Sequence, residues 1–138
     1  MNKKPPVYQI KSAGCKQYVV DIGEDNELII SSMRRKSQLF LLIDGRIINS
    51  QTGKVLSVHN DGSGRLEIVQ KEKALTEDEL WIVEENNREG SIIYNKKYSN
   101  RCITVEEGVY CDDSSLILEP YDGSKNQRFW FHCKKRKN

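Results

Sequence analysis

The chain has 138 residues, with 22 Lys+Arg against 20 Asp+Glu and a formal net charge of +2. That length is one domain with enough chain for a real core, and the near-cancelling charges leave no whole-molecule field to draw in nucleic acid or an acidic membrane. Charged residues at 30% beside hydrophobic ones at 37% exclude the disordered class, and no run approaches the roughly 18 apolar residues that a membrane span requires.

The start, Met1-Asn2-Lys3-Lys4-Pro5-Pro6, is basic with no apolar stretch after it, so residues 1–6 are expected to be a tail and not a signal peptide. On that basis a cytoplasmic protein is the expectation, with nuclear or secreted placement left open. From Val7 onward short apolar segments alternate with period two and are broken by Gly, Asn, Asp and Ser, which reads as strand almost throughout. Tyr8 and Ile10 open a first unit, Val20-Asp21-Ile22 follows, Gly23-Glu24-Asp25-Asn26 turns the chain, Leu28-Ile29-Ile30 returns, and Gln38-Leu39-Phe40 closes. A second unit runs through Ile47-Ile48, Leu56-Ser57-Val58, the turn Asp61-Gly62-Ser63-Gly64 and Leu66-Glu67-Ile68 to Glu79-Leu80-Trp81. Lys71 to Glu79 has the one helical leaning in the chain and is expected as a loop with a helical turn. The third unit runs through Ile92-Ile93, Ile103-Thr104-Val105 and Leu116-Ile117-Leu118 to Gln127-Arg128-Phe129. In each central strand the flanking apolar pair is expected to face the core and the middle residue, Asp21, Ser57 or Thr104, to face out.

Three copies of one order, at a step of roughly 40–50 residues, mark a repeated supersecondary unit. Four short strands per unit give about twelve in all. A unit of that size cannot bury its apolar face alone, so three must share one core, and closure of the sheet removes exposed edges. The segments Thr52-Gly53-Lys54-Val55-Leu56-Ser57-Val58 and Cys102-Ile103-Thr104-Val105 lie close to a "TGKCLDV" strand. With three Gln-x-aromatic endings behind such strands, the chain resembles the ricin B-type lectin family. The resemblance covers about residues 7–133 and implies an all-β fold, a β-trefoil with pseudo-threefold symmetry and units at about 7–43, 44–84 and 90–133. Phe40, Trp81 and Phe129 are then expected in the shared core, each burying a large apolar area.

A sugar offers hydroxyl pairs on its edge and a C–H face. A shallow site therefore needs a carboxylate or amide to grip the hydroxyls and a ring to cover the face. The resemblance places the carboxylate on the central strand, the ring just after the third strand, and Asn and Gln at the start of the closing motif. Unit one offers Asp21 and Gln38, with Ser31 where the ring belongs and Ser37 in place of Asn. Unit two offers Ser57, Val69, Asp78 and Glu79 and is expected to be silent. Unit three offers Asn126 and Gln127, with Thr104 replacing the carboxylate and Glu119 the ring; Tyr121, two residues on, is the substitute ring. The candidate carbohydrate contacts are thus Asp21, Gln38, Thr104, Tyr121, Asn126 and Gln127. Read structurally, Asp21 is an exposed strand residue bonding a turn, and Gln38 and Gln127 tie down their own loops. The expectation is a non-catalytic module with weak binding of a galactose-type glycan in units one and three. The alternative is a degenerate trefoil serving as an intracellular interaction module for a protein or ribonucleoprotein.

Cys15, Cys102, Cys111 and Cys133 make no C-x-x-C pair and have no clustered His, so free, partly buried thiols are expected and a zinc site is not. His59 and His132 stand without a catalytic Ser or Cys at a recognisable spacing, and no phosphate-cradling Gly-rich loop occurs, so neither enzyme activity nor a cofactor is expected. Two basic runs remain, Arg34-Arg35-Lys36 and Lys134-Lys135-Arg136-Lys137 in the tail 134–138. Read functionally they contact nucleic acid; read as solvated charge they serve solubility.

Overall fold

A computed structural model describes residues 4–134, so Lys135, Arg136 and Lys137 of the basic tail lie outside the described residues. The described residues form twelve strands. The first four are β1 (Val7–Ser12), β2 (Val19–Ile22), β3 (Leu28–Ser31) and β4 (Phe40–Ile43). The next are β5 (Arg46–Asn49), β6 (Val55–Asn60), β7 (Leu66–Lys71) and β8 (Trp81–Glu84). The last are β9 (Ile92–Asn95), β10 (Arg101–Val105), β11 (Leu116–Pro120) and β12 (Phe129–Lys134). A single 3-10 turn precedes each closing strand: Lys36–Gln38, Glu77–Glu79 and Lys125–Gln127. The helical turn expected within Lys71 to Glu79 is the second of these.

Two layers follow from the pairing. The hairpins β2–β3, β6–β7 and β10–β11 converge through Glu27↔Val69, Ile29↔Ser115 and Ile117↔Glu67, and cap one end. The other six strands form a barrel in which β4–β5, β8–β9 and β12–β1 are antiparallel ladders. The barrel closes at three equivalent points. Phe40 pairs with Tyr8, the Trp81 amide donates to the Gly45 carbonyl at 2.7 Å, and Phe129 and Ser91 exchange two hydrogen bonds of 2.7 and 2.9 Å. At each point the aromatic residue that ends a unit is bonded to the start of that same unit, which is a pseudo-threefold axis expressed in backbone hydrogen bonds. Closure leaves no barrel edge open to another chain among the described residues.

Phe40, Trp81 and Phe129 belong to one buried cluster with Ile10, Leu56, Ile68, Ile103 and Leu118. The Trp81 indole donates to the Leu56 carbonyl at 3.0 Å, so its one polar atom is satisfied inside the core. Removing any of these rings costs about 3–5 kcal/mol by the usual yield of large-to-small core changes.

The middle residues of the central strands do not face solvent as alternation predicts. Asp21, Ser57 and Thr104 are all buried. The reason lies beyond the strand: the 3-10 turn of each unit packs onto the outer face of its own central strand, against β2, β6 and β10 in turn. Two of these turns are also held from the next unit. Asn49 Nδ2 donates to the Ser37 carbonyl at 2.8 Å and Asn95 Nδ2 to the Asp78 carbonyl at 2.9 Å.

Candidate binding sites of the three units

Asp21 on β2 has no exposed surface. Its Oδ1 accepts the Ile22 amide at 2.7 Å and the Ser37 hydroxyl at 2.5 Å, while Oδ2 accepts Gln38 Nε2 at 3.0 Å. Arg35 Nη1 stands 3.9 Å from Oδ2. Asp21 is therefore not an exposed strand residue bonding a turn. It is the buried hub that fastens the Lys36–Gln38 turn across its own strand, and a buried carboxylate needs that many donors. Gln38 spends its second N–H on the Met33 carbonyl. Both donors are committed, and Oε1 is left as an acceptor with no partner among the described residues.

Unit three brings Thr104, Asn126 and Gln127 together and uses them internally. Gln127 Nε2 donates to Thr104 Oγ1 at 3.2 Å and to the Pro120 carbonyl at 2.9 Å, and its Oε1 accepts the Asp122 amide at 2.9 Å. Asn126 Nδ2 donates to the Val105 carbonyl at 2.9 Å. Tyr121 is 38% exposed, but its ring is held edge-on to Tyr94 at 6.3 Å and under the Arg128 guanidinium at 5.8 Å. Arg128 Nη2 also donates to the Tyr121 hydroxyl at 2.7 Å.

In unit two the closing residue, Glu79, makes no side-chain hydrogen bond to the central strand among the described residues. It is fully buried and accepts the Ala74 amide at 3.0 Å, the Leu75 amide at 2.6 Å and Arg46 Nε at 3.2 Å. Burial pushes its carboxyl up, but the two amides and Arg46 more than offset this and hold it below the usual carboxylate range. Ser57, at the position of Asp21 and Thr104, has a buried hydroxyl with no partner among the described residues.

Above Gln38 an open cleft of about 270 Å³ continues into a shallower one of about 320 Å³. Gln9 and Gln38 belong to both, with Gln17 and Ser32 at the side of the deeper part. Met33, 57% exposed, lends an apolar thioether. Lys11 and Lys16 line the deeper part, Arg35 and Lys36 the shallower, and Arg34 and Lys134 both. The run Arg34-Arg35-Lys36 and the first tail residue thus meet in one cleft, because β12 lies along β1 with Val7 opposite Lys134. A second cleft, of about 460 Å³, adjoins it through Lys16 and holds the half-buried Trp130 with Arg88, Lys125 and Arg128.

Sequence reasoning missed Gln9, Lys11, Lys16 and Trp130. Gln9 and Lys11 share one face of β1 by period-two alternation, a signal that was present but local. Trp130 is concealed behind Phe129, in a strand whose other aromatics go inward or pack on neighbours. The cysteines are free among the described residues. Cys102 is buried, its thiol pushed up to about 11 by that burial, while Cys111 and Cys133 are exposed. No group of His, Cys, Asp or Glu among the described residues could hold a metal ion, and no helix there is long and apolar enough to cross a membrane.

Capped barrel, threefold closure and three turn-covered hairpins define a β-trefoil. No family model and no curated protein sequence matches the chain. Among solved structures it resembles ThreeFoil, a designed 3-fold symmetric protein, with a TM-score of 0.81 at 18% identity over 91% of this chain and 97% of that one. It resembles the Rhizoctonia solani agglutinin with a TM-score of 0.80 at 13% identity, over 97% and 99% of the two chains. The ricin B-like lectin of Macrolepiota procera, solved in complex with lactose, gives 0.79 at 13% identity over 96% and 98%. At these identities the likeness is one of fold.

Proposed function

We propose that the protein is a carbohydrate-binding module whose working site is the cleft of unit one. The observation that carries this reading is the unequal use of the three closing residues. Glu79 is consumed by an ion pair and two amides, and Gln127 by Thr104, Pro120 and Asp122. Gln38 alone of the three keeps an acceptor oxygen free among the described residues, and, though only 2% exposed, it belongs to the floor of an open cleft. Asp21 then works as a positioning residue: it takes one Nε2 proton, the Met33 carbonyl takes the other, and Gln38 Oε1 is turned to a ligand hydroxyl. Gln9 adds an amide and Met33 an apolar face, so the cleft offers both things a sugar presents. The complex of the Macrolepiota procera lectin with lactose supports including galactose-type ligands among those tried.

A glycan array carrying neutral and acidic glycans tests the reading. A hit is expected, weakened in Gln9→Ala, whose side chain makes no hydrogen bond among the described residues, and lost in Gln38→Ala. A blank array, together with recovery of one stoichiometric protein partner that free sugar does not displace, favours the interaction-module alternative instead.

A further inference from the structure

Resting on that reading, we infer that the unit-one cleft takes an anionic saccharide, one carrying sulfate or carboxylate groups, in preference to a neutral galactoside. Six basic side chains, Lys11, Lys16, Arg34, Arg35, Lys36 and Lys134, line the two parts of the cleft, and no Asp or Glu lines either part. Six of the chain's 22 basic residues are gathered there, leaving 16 against 20 acidic residues elsewhere. The near-neutral total therefore conceals a strongly polarised molecule, and a cleft with low-dielectric walls focuses such a field.

Five of the six cations lack a counter-charge among the described residues. Among the described residues Lys11, Lys16, Arg34, Lys36 and Lys134 have no carboxylate at ion-pair distance, and Arg35, 45% exposed, stands 3.9 Å from Asp21. Two carboxylates beside the cleft already accept other hydrogen bonds: Asp21 from Ser37 and Gln38, and Asp112 from the Ser32 amide at 2.6 Å and hydroxyl at 2.9 Å. Gathering like charges costs repulsion that an anionic ligand relieves. Arg34 and Arg35 bring the planar fork that matches the oxygens of a sulfate or carboxylate.

Charge alone would also suit a bare anion or a nucleic acid. The lining also holds the amides of Gln9 and Gln17 and the free acceptor oxygen of Gln38, which suit hydroxyls that a bare anion lacks. Single-stranded nucleic acid is held on successive aromatic platforms; the cleft itself has no ring, and the adjoining one has Trp130. Lys16 lines both clefts, so an oligosaccharide of several residues can continue from the Gln38 cleft towards Trp130, Arg88 and Lys125, past Glu89, which is paired with Arg128 at 3.4 Å.

The test is titration calorimetry on the full chain against a sulfated oligosaccharide, an unsulfated uronate oligosaccharide, lactose, inorganic sulfate and oligouridylate. Each is measured at about 0.05 and 0.3 M NaCl, a range over which the screening length falls by more than half. The sulfated or uronate oligosaccharide is expected to bind more tightly than the rest and to weaken about tenfold or more at the higher salt. Lys16→Glu and Arg34→Glu, both at exposed positions, are each expected to weaken it roughly tenfold by reversing a charge, with an unchanged melting midpoint. Lactose binding as tightly as the acidic sugars, without salt dependence, overturns the inference and leaves the carbohydrate reading standing. Oligouridylate or inorganic sulfate binding as tightly as the acidic sugars overturns the inference. Binding of no saccharide, acidic or neutral, overturns both.

Discussion

Glu79→Gln puts into unit two the amide that closes the other two units, and it is expected to damage the protein. Glu79 is fully buried and serves three donors: the Ala74 and Leu75 amides and Arg46, whose side chain is 13% exposed. Glutamine has the same shape but one acceptor oxygen, and its new NH2 group faces one of those donors. An orphaned buried amide costs about 1–3 kcal/mol, and removing one member of a buried ion pair about 3–5 kcal/mol. The two costs overlap, and Arg46 keeps some access to water, so the expected loss is about 3 kcal/mol. For a chain of this size that is a fall of roughly 10–15 °C in the melting midpoint. The loss also has a pH signature. The folded-state pKa of Glu79 is depressed, because the amides and Arg46 outweigh burial. Its contribution is therefore complete above the unfolded value of about 4.3 and disappears as pH falls through the lower folded value. Urea unfolding of both proteins should show a constant gap from about pH 5.5 to 7.5 that narrows below about pH 4.3. A gap under about 0.5 kcal/mol at neutral pH, or one unchanged down to about pH 3, would refute the assignment of Glu79 as a charged structural anchor.

Ser57→Ala should move stability the other way or leave it unchanged. The buried Ser57 hydroxyl has no partner among the described residues, so its removal is expected to be neutral or to stabilise by up to about 1 kcal/mol; a midpoint lowered by more than about 3 °C in a thermal melt counts against this. Thiol titration with an aromatic disulfide at about pH 8, where thiolates form at ordinary cysteines, should give two fast equivalents from Cys111 and Cys133 and a slower one from Cys15. Cys102, buried and with its thiol pushed up to about 11, should react only in denaturant; fewer than four equivalents in denaturant would reveal a disulfide.

Some of this was legible in the sequence. Phe40, Trp81 and Phe129 could be placed in a common core because each ends an alternating run and all three recur in the same order, so local periodicity and global repeat agree. The middle positions of the central strands were misread for the opposite reason. Alternation says which face of a strand a side chain leaves from, and nothing in Val20-Asp21-Ile22 tells that a 3-10 turn sixteen residues on will cover that face. Asp21 and Gln38 were picked out together by the family pattern, and the structure does join them, in a buried bond and not at an open surface. The basic cleft was legible only in pieces. Arg34-Arg35-Lys36 and Lys134 stood out as runs, but Lys11 and Lys16 are isolated in sequence and acquire their meaning when the two ends of the domain are laid side by side.

That side-by-side arrangement governs when the cleft can exist. β1 pairs along its whole length with β12, from Val7↔Lys134 to Ser12↔Phe129. The first strand of the trefoil therefore waits for its last before its main ladder can form. Joining such distant segments costs only slightly more entropy than joining near ones, since the cost grows with the logarithm of loop length, but it places the step late in folding. Lys11 comes from one of these strands and Lys134 from the other, so the cleft is completed by the same event that seals the barrel. A ligand held between them binds the sealed form in preference to the open one and stabilises it by mass action. Such a ligand would act as a clasp across the two ends of the domain.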